Sequence, residues 1–241
     1  MKHFSTLLLA LFILATAHTQ NLIEDARDGN KENVLRHLNS GANVNMQTEN
    51  GYNPLFAAVA FEHTDIVKLL IERGADVNLP LESGVTALSV AAQDGLTDMA
   101  KLLLDNGADP HLKSDFGWSA LRFAARNGRI DIVKMLVDLD VEIDELGDDL
   151  ATPLGSATSQ GHIEIVALLI KHGANINNVD KDGETPVMYC AMRGRIDVLE
   201  LLLKHNPDLT LKNNDGKTAV EIAKDRGQPV IEAMLKAKME E

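Results

Sequence analysis

Six short triplets decide the fold: Asn53-Pro54-Leu55, Thr86-Ala87-Leu88, Ser119-Ala120-Leu121, Thr152-Pro153-Leu154, Thr185-Pro186-Val187 and Thr218-Ala219-Val220. Their middle residues stand 33 positions apart at every step. A fixed period of this length marks a stack of equal supersecondary units rather than one globular core. In each triplet the first side chain can accept a backbone N–H at a helix start, and Pro is tolerated at the first helical position. The third residue begins an apolar column that faces the core.

Three glycine columns share the period. Gly51, Gly84, Gly117, Gly183 and Gly216 precede the triplets, several of them in turn dipeptides such as Asn50-Gly51 and Asp182-Gly183. Gly29, Gly95, Gly128, Gly161, Gly194 and Gly227 end the first helix of each unit. Gly41, Gly74, Gly107 and Gly173 stop the second helix at a left-handed cap. Between the last two columns runs an apolar stripe: Ile66, Val67, Leu69, Leu70 and Ile71 in one unit, Ile165, Val166, Leu168, Leu169 and Ile170 in another. A stripe this broad predicts a helix sandwiched between neighbours. Ala58, Ala91, Ala124, Ala157 and Ala223 are small enough to let adjacent helix pairs approach closely.

Gly-x-Thr-Pro-Leu, a small pair, Gly, Ile-Val-x-x-Leu-Leu and Gly-Ala-Asp/Asn-x-Asn, in register and without insertion, resemble the ankyrin repeat. The resemblance implies an all-α ankyrin-repeat solenoid of helix-turn-helix units joined by β-turn finger loops. It divides the chain into an N-terminal capping repeat over residues 20–47, five full repeats over residues 48–212 and a C-terminal capping repeat over residues 213–241. Caps of this kind need a polar outer side. Two departures stand out. The family usually carries a His after Pro-Leu that bonds between neighbouring loops; here that column holds Phe56, Ser89, Arg122, Gly155, Met188 and Glu221. Those bonds are expected to be missing, with stability leaning on apolar burial. The fourth full repeat also loses its pattern at Asp140-Val141 and Leu150-Ala151, a weak point or a place shaped for a ligand.

Residues 1–17 stand apart from the repeats. Lys2 and His3 precede an apolar run from Leu7 to Ala15, too short to span a bilayer, and small residues follow. This reads as a cleaved secretory signal, with the cut after Ala17 or after Thr19. Cys190 is the single cysteine, so no internal disulfide can form; it replaces Ala in the small column and reads as a packing residue. With no disulfide and no Asn-x-Ser/Thr sequon, an exported bacterial protein fits best, periplasmic or secreted.

After removal of the leader the chain has 22 basic against 36 acidic residues, a net charge of −14. That disfavours nucleic acid and anionic membranes and suits a basic protein partner, or plain solubility. The resemblance implies that a partner meets the loop tips and the exposed side of each first helix. The positions after the tip Gly include Tyr52, Val85 and Trp118, which are expected to project free of the core. Those before it include Asp115-Phe116 and Asp148-Asp149; those closing the first helix include Phe61 and Arg126. These nine residues are the candidate partner-binding set. Six of the seven aromatics beyond the leader fall between residues 52 and 123, and aromatics are frequent interface anchors. Folding back of Tyr52 and Trp118 onto neighbouring loops is the competing reading. An acidic block (Asp138, Asp140, Glu142, Asp144, Glu145, Asp148, Asp149) offers carboxylates for a basic partner, a solvated loop or calcium, although Ile143 occupies the place where an EF-hand loop requires Gly.

No nucleotide, metal or nucleophile signature is present: Gly155-Ser156-Ala157-Thr158-Ser159 lacks the closing Gly of a nucleophile elbow. His63 and His162 share one repeat column, as do His172 and His205, so repeat register explains them. A monomeric, non-enzymatic binding scaffold without cofactor or metal is expected. Exported bacterial members of the family include ones that support periplasmic catalase activity and oxidative-stress defence, which is what the resemblance implies for role. An immunity-type inhibitor of a basic toxin, or a secreted effector that binds host proteins, are the alternatives.

Overall fold

The computed structural model describes residues 22–241. The leader and both candidate cut sites lie outside the described residues. Within them the chain forms fourteen helices and no strand. Two compact units result, one ending at Asp115 and one running from Phe116 to Glu241, with Ala92–Gly95 belonging to the second and Leu96–Asp115 to the first.

The first unit contains α1 (22–27), α2 (Lys31–Asn39), α3 (Pro54–Ala60), α4 (Thr64–Glu72) and α6 (Thr97–Asp105), with α5 (Ala87–Asp94) carrying the division. The second contains α7 (Ala120–Arg126), α8 (Ile130–Val137), α9 (Pro153–Gln160), α10 (Ile163–Lys171), α11 (Pro186–Arg193), α12 (Ile196–Leu203), α13 (Ala219–Asp225) and α14 (Pro229–Met239). Odd-numbered helices from α3 onward are the first helix of a pair, even-numbered ones the second.

Each first helix starts where the triplets predict. The side chains of Asn53, Ser119, Thr152, Thr185 and Thr218 accept the N–H groups of Phe56, Leu121 and Arg122, Gly155, Met188 and Glu221 respectively. Thr218 and Glu221 close a reciprocal capping box. Removing such a cap costs about 1 kcal/mol. The small column is sealed: Ala58, Ala91, Ala124, Ala157, Cys190 and Ala223 have no exposed surface.

The apolar stripe is narrower than its sequence suggests. Ile66, Val67, Leu70, Ile165, Val166 and Leu169 are buried, but Ile71, Leu168 and Ile170 are only half-buried. One side of each second helix therefore faces outward, and Lys68, Glu72 and Lys171 occupy it.

Finger loops are zipped by backbone bonds. In the first unit the N–H of Glu82 donates to Asn50 O and that of Asp115 to Ser83 O. In the second, Asp148, Lys181 and Asn214 donate to Phe116, Asp149 and Asp182. A side-chain ladder adds to this at the other end of each repeat: Asn45, Asn78, Asp144 and Asn177 accept the N–H of Asp76, Asp109, Asn175 and Asp208, each 31 residues on.

Four positions break the glycine columns while keeping their backbone: Glu62, Asp140, Leu150 and Asn206 all have positive φ, between 50° and 62°. Asp140 and Leu150 bound the stretch where the repeat is irregular. Its pattern is lost in sequence and kept in conformation, at a steric cost of about 1–2 kcal/mol per residue.

Candidate functional site

The second unit holds the denser half of the candidate set. Ser119 caps α7, which fixes Trp118 just outside the helix and places Arg122, Phe123 and Arg126 on its first two turns. The Trp118 ring meets Phe123 edge-on at 5.2 Å between centroids. The guanidinium carbons of Arg122 and Arg126 stand 4.3 Å and 5.3 Å from the indole centroid, within reach of a cation–π attraction. Trp118 is thus half-buried and packed against other residues, as is Tyr52 in the first unit, whose ring meets Phe56 edge-on at 5.4 Å. Neither projects free of the core as the column reading expects, because each has an aromatic neighbour on its own first helix to fold against. Burial also pushes the Tyr52 phenol above its ordinary pKa.

Arg122 is 1% exposed. Its Nε donates to Ser156 Oγ on α9 at 3.3 Å and its Nη2 to Asp149 Oδ2 at 2.5 Å, while Nη1 is buried without an acceptor. Burial raises the Asp149 carboxyl, but the bond and charge of Arg122 outweigh it and hold the group below the usual carboxylate range. Here the expected loss of inter-repeat bonds is corrected: the departure from His at this column installs a longer donor that spans two repeats. Ser89, in the same column, bonds locally to Thr86 at 3.1 Å.

A further set of ties was not anticipated. His63 Nε2 bonds Arg27 O at 2.8 Å, and His162 Nε2 bonds Arg126 O at 3.1 Å. Arg129 reaches Gln93 O at 3.0 Å and Arg195 reaches Ser159 O at 3.2 Å. Each spans 36 residues and joins the start of a second helix to the end of the preceding first helix. The available signal was the column itself, which reads His, Leu, Arg, His, Arg, Gln from position 63 to position 228, mostly long side chains carrying N–H groups.

The remaining candidates divide by exposure. Phe61 and Phe116 are 52% and 64% exposed, and Asp115, Arg126 and Asp148 are also exposed. Val85 and Asp149 are half-buried. Phe116 and Asp148 are brought together by the finger ladder, whereas Asp149 is occupied by Arg122. The acidic block does not act as one group. Glu145 is buried and accepts a hydrogen bond from Ser119 Oγ; Asp144 accepts the Asn175 N–H at 2.9 Å. Burial nevertheless raises the Asp144 carboxyl. Among the described residues no three His, Cys, Asp or Glu side chains are gathered to hold a metal ion. Tyr189 donates to Asp180 at 2.5 Å and its phenol is raised by burial and by that carboxylate. Among the described residues no helix is long and apolar enough to cross a membrane.

Zipped finger loops and paired helices recurring on one period define a repeat solenoid. The ankyrin-repeat family profile, described as three copies of ankyrin repeats, matches residues 22–114, 90–180 and 174–240, and the chain belongs to that family. It is 47% identical over 55 residues to an ankyrin repeat-containing protein of Schizosaccharomyces pombe, a match that covers 23% of this chain and 27% of that protein. The chain therefore spans about a quarter of the length of this curated relative.

Proposed function

We propose that the chain is an exported, monomeric scaffold that holds a basic protein partner on its finger face, in support of an oxidative-stress function in the periplasm. The observation that carries the reading is the Phe116–Asp148 juxtaposition. Phe116, 64% exposed, and the exposed Asp148 are joined through backbone N–H to O on neighbouring fingers, with the packed Trp118 just ahead of the adjoining helix and Arg126 at its end. Such a tip is already ordered before binding, so the ring can enter a partner's pocket at little entropic cost. The net charge of −14 without the leader (22 basic against 36 acidic residues) favours encounter with a basic surface and raises its on-rate. In the first unit Phe61, Tyr52, Val85 and Asp115 supply a second set of apolar and acidic contacts.

Affinity capture from periplasmic extract with the wild-type chain and Phe116→Ala tests this. A specific protein should be retained by the wild type and held about 30-fold more weakly by the variant, the equivalent of about 2 kcal/mol for one anchor. Equal retention by both, or no retained protein, would sink the assignment. Mass spectrometry of the protein from cell fractions tests export: loss of the leader and recovery from the periplasm are expected.

A further inference from the structure

The outward side of the second helices changes character within the second unit. At one register the chain carries Lys68, Lys101 and Lys134 in α4, α6 and α8, then Ala167 and Glu200 in α10 and α12. Lys101 and Lys134 pair with Asp105 and Asp131 on their own helices, at 2.9 Å and 3.0 Å. Glu164 and Asp197 have lost that lysine, to Ala167 and Glu200, and among the described residues none of these three carboxylates forms an ion pair. At another register the Thr64 and Thr97 that open α4 and α6 become Ile163 and Ile196, which are 40% and 36% exposed. A first helical position needs no apolar side chain for folding, so these isoleucines are spare apolar surface.

Two open grooves lie on this side of α10, α12 and α14. One, between α10 and α12, is lined by Ile163, Ala167 and Leu201; the other, between α12 and α14, by Leu203, Met234 and Ala237. Both share Glu200 and Lys204. Glu164 and Asp197 stand on the rim of the first. An apolar floor with an acidic edge is thus built into one part of the unit.

We infer that the furrow between α10 and α12, whose lining includes no finger-loop residue, docks a cationic amphipathic helix of a partner protein. The groove between two side-by-side helices accepts a third by ridge-into-groove packing. Apolar residues at i, i+3 and i+4 of the incoming helix cover Ile163, Ala167 and Leu201, and its lysines or arginines meet Glu164, Asp197 and Glu200. The unpaired carboxylates repel nucleic acid, anionic lipid and a second copy of the same furrow. This site is separate from the finger face, and either can fail without the other.

The test uses a fluorescent synthetic peptide of Leu and Lys, with Leu at i, i+3, i+4 and i+7 spacing, titrated by anisotropy into the full chain. Saturable binding is expected, weakened about tenfold by Glu200→Lys and by Ile163→Thr, the latter restoring the residue of α4 and α6. Asp98→Lys on α6 makes the same charge change at the register of Glu164 and Asp197 and should shift affinity less than about twofold, a bulk-charge effect. A peptide with Ser for Leu should not bind. Equal binding by all the variants, an equal loss in Asp98→Lys, or undiminished binding of the Ser peptide would each overturn the proposal. All three positions are on the surface, and unchanged far-UV circular dichroism shows that the fold is kept.

Discussion

The guanidinium of Arg122 fills the space that a side chain at position 147 would need: a Cβ built on Gly147 would stand 1.9 Å from Arg122 Nη1. Gly147 belongs to none of the three glycine columns, and its φ is not positive. Its smallness answers one arginine, not a turn. Gly147→Ala should therefore destabilise the chain by about 2 kcal/mol or more, through overpacking or expulsion of the cation. In an Arg122→Ala background the same change should be close to neutral. A double-mutant cycle by urea denaturation checks this, and additive effects would show that the two residues are not coupled.

Leu150→Gly and Asp140→Gly should each stabilise the fold by about 1 kcal/mol, because both residues hold φ near +55° without need of a side chain there. Leu150 is also largely exposed, so little burial is lost. A rise of several degrees in Tm would bear this out, and an unchanged or lower Tm would mean that the side chains are compensated.

Leu136 and Leu169 are fully buried in α8 and α10. Truncation of either to Ala should cost about 2–5 kcal/mol by leaving a cavity. Chemical denaturation that showed a loss below about 0.5 kcal/mol would contradict their place in the core.

The helix starts and the sealed small column were legible in sequence because each depends on residues within one turn of one another. The ties of His63, Arg129, His162 and Arg195 repeat on the same period, so their register was visible although their acceptors, distant backbone carbonyls, were not. The Arg122 cluster was not legible. It depends on the meeting of Gly147, Asp149 and Ser156 from other loops and helices, and only one of these, Asp149, stood out as a candidate. Trp118 was assigned to the right loop, but its half-buried state came from Phe123 and Arg122, whose contacts follow from helix geometry rather than from the column.

Acid titration should show two opposing trends. Asp149 has its folded pKa depressed below its ordinary 3.8, so its contribution is present above that value and lost as pH falls through the lower, folded one. Glu184 is raised above 4.5 by burial and then by Asp180 and Asp182, and Asp144 is raised above 3.8 by burial. These two take up protons more readily when folded, so stability is recovered as pH falls through their raised values. The urea midpoint should rise on mild acidification and drop below about pH 4. Glu184→Gln should flatten the rise and Asp149→Asn should blunt the drop; curves superimposable on the wild type would refute the assignment.

Cys190 is buried, and burial pushes its thiol up to about 12. A thiol reagent at pH 8 should leave it unmodified in the folded protein and react promptly in denaturant. Fast labelling under native conditions would mean that α11 opens readily.

The imidazole and guanidinium ties to carbonyls 36 residues earlier carry a genetic consequence. His63, Arg129, His162 and Arg195 differ chemically, yet each presents an N–H at the same place, so none is matched to one particular acceptor. Excision or duplication of a whole 33-residue block hands the donor at the junction a new carbonyl in the old position, whereas gaining or losing one codon inside a 36-residue span strands the donor that closes it. Such a gene can change length in quanta without relearning how to hold its protein together.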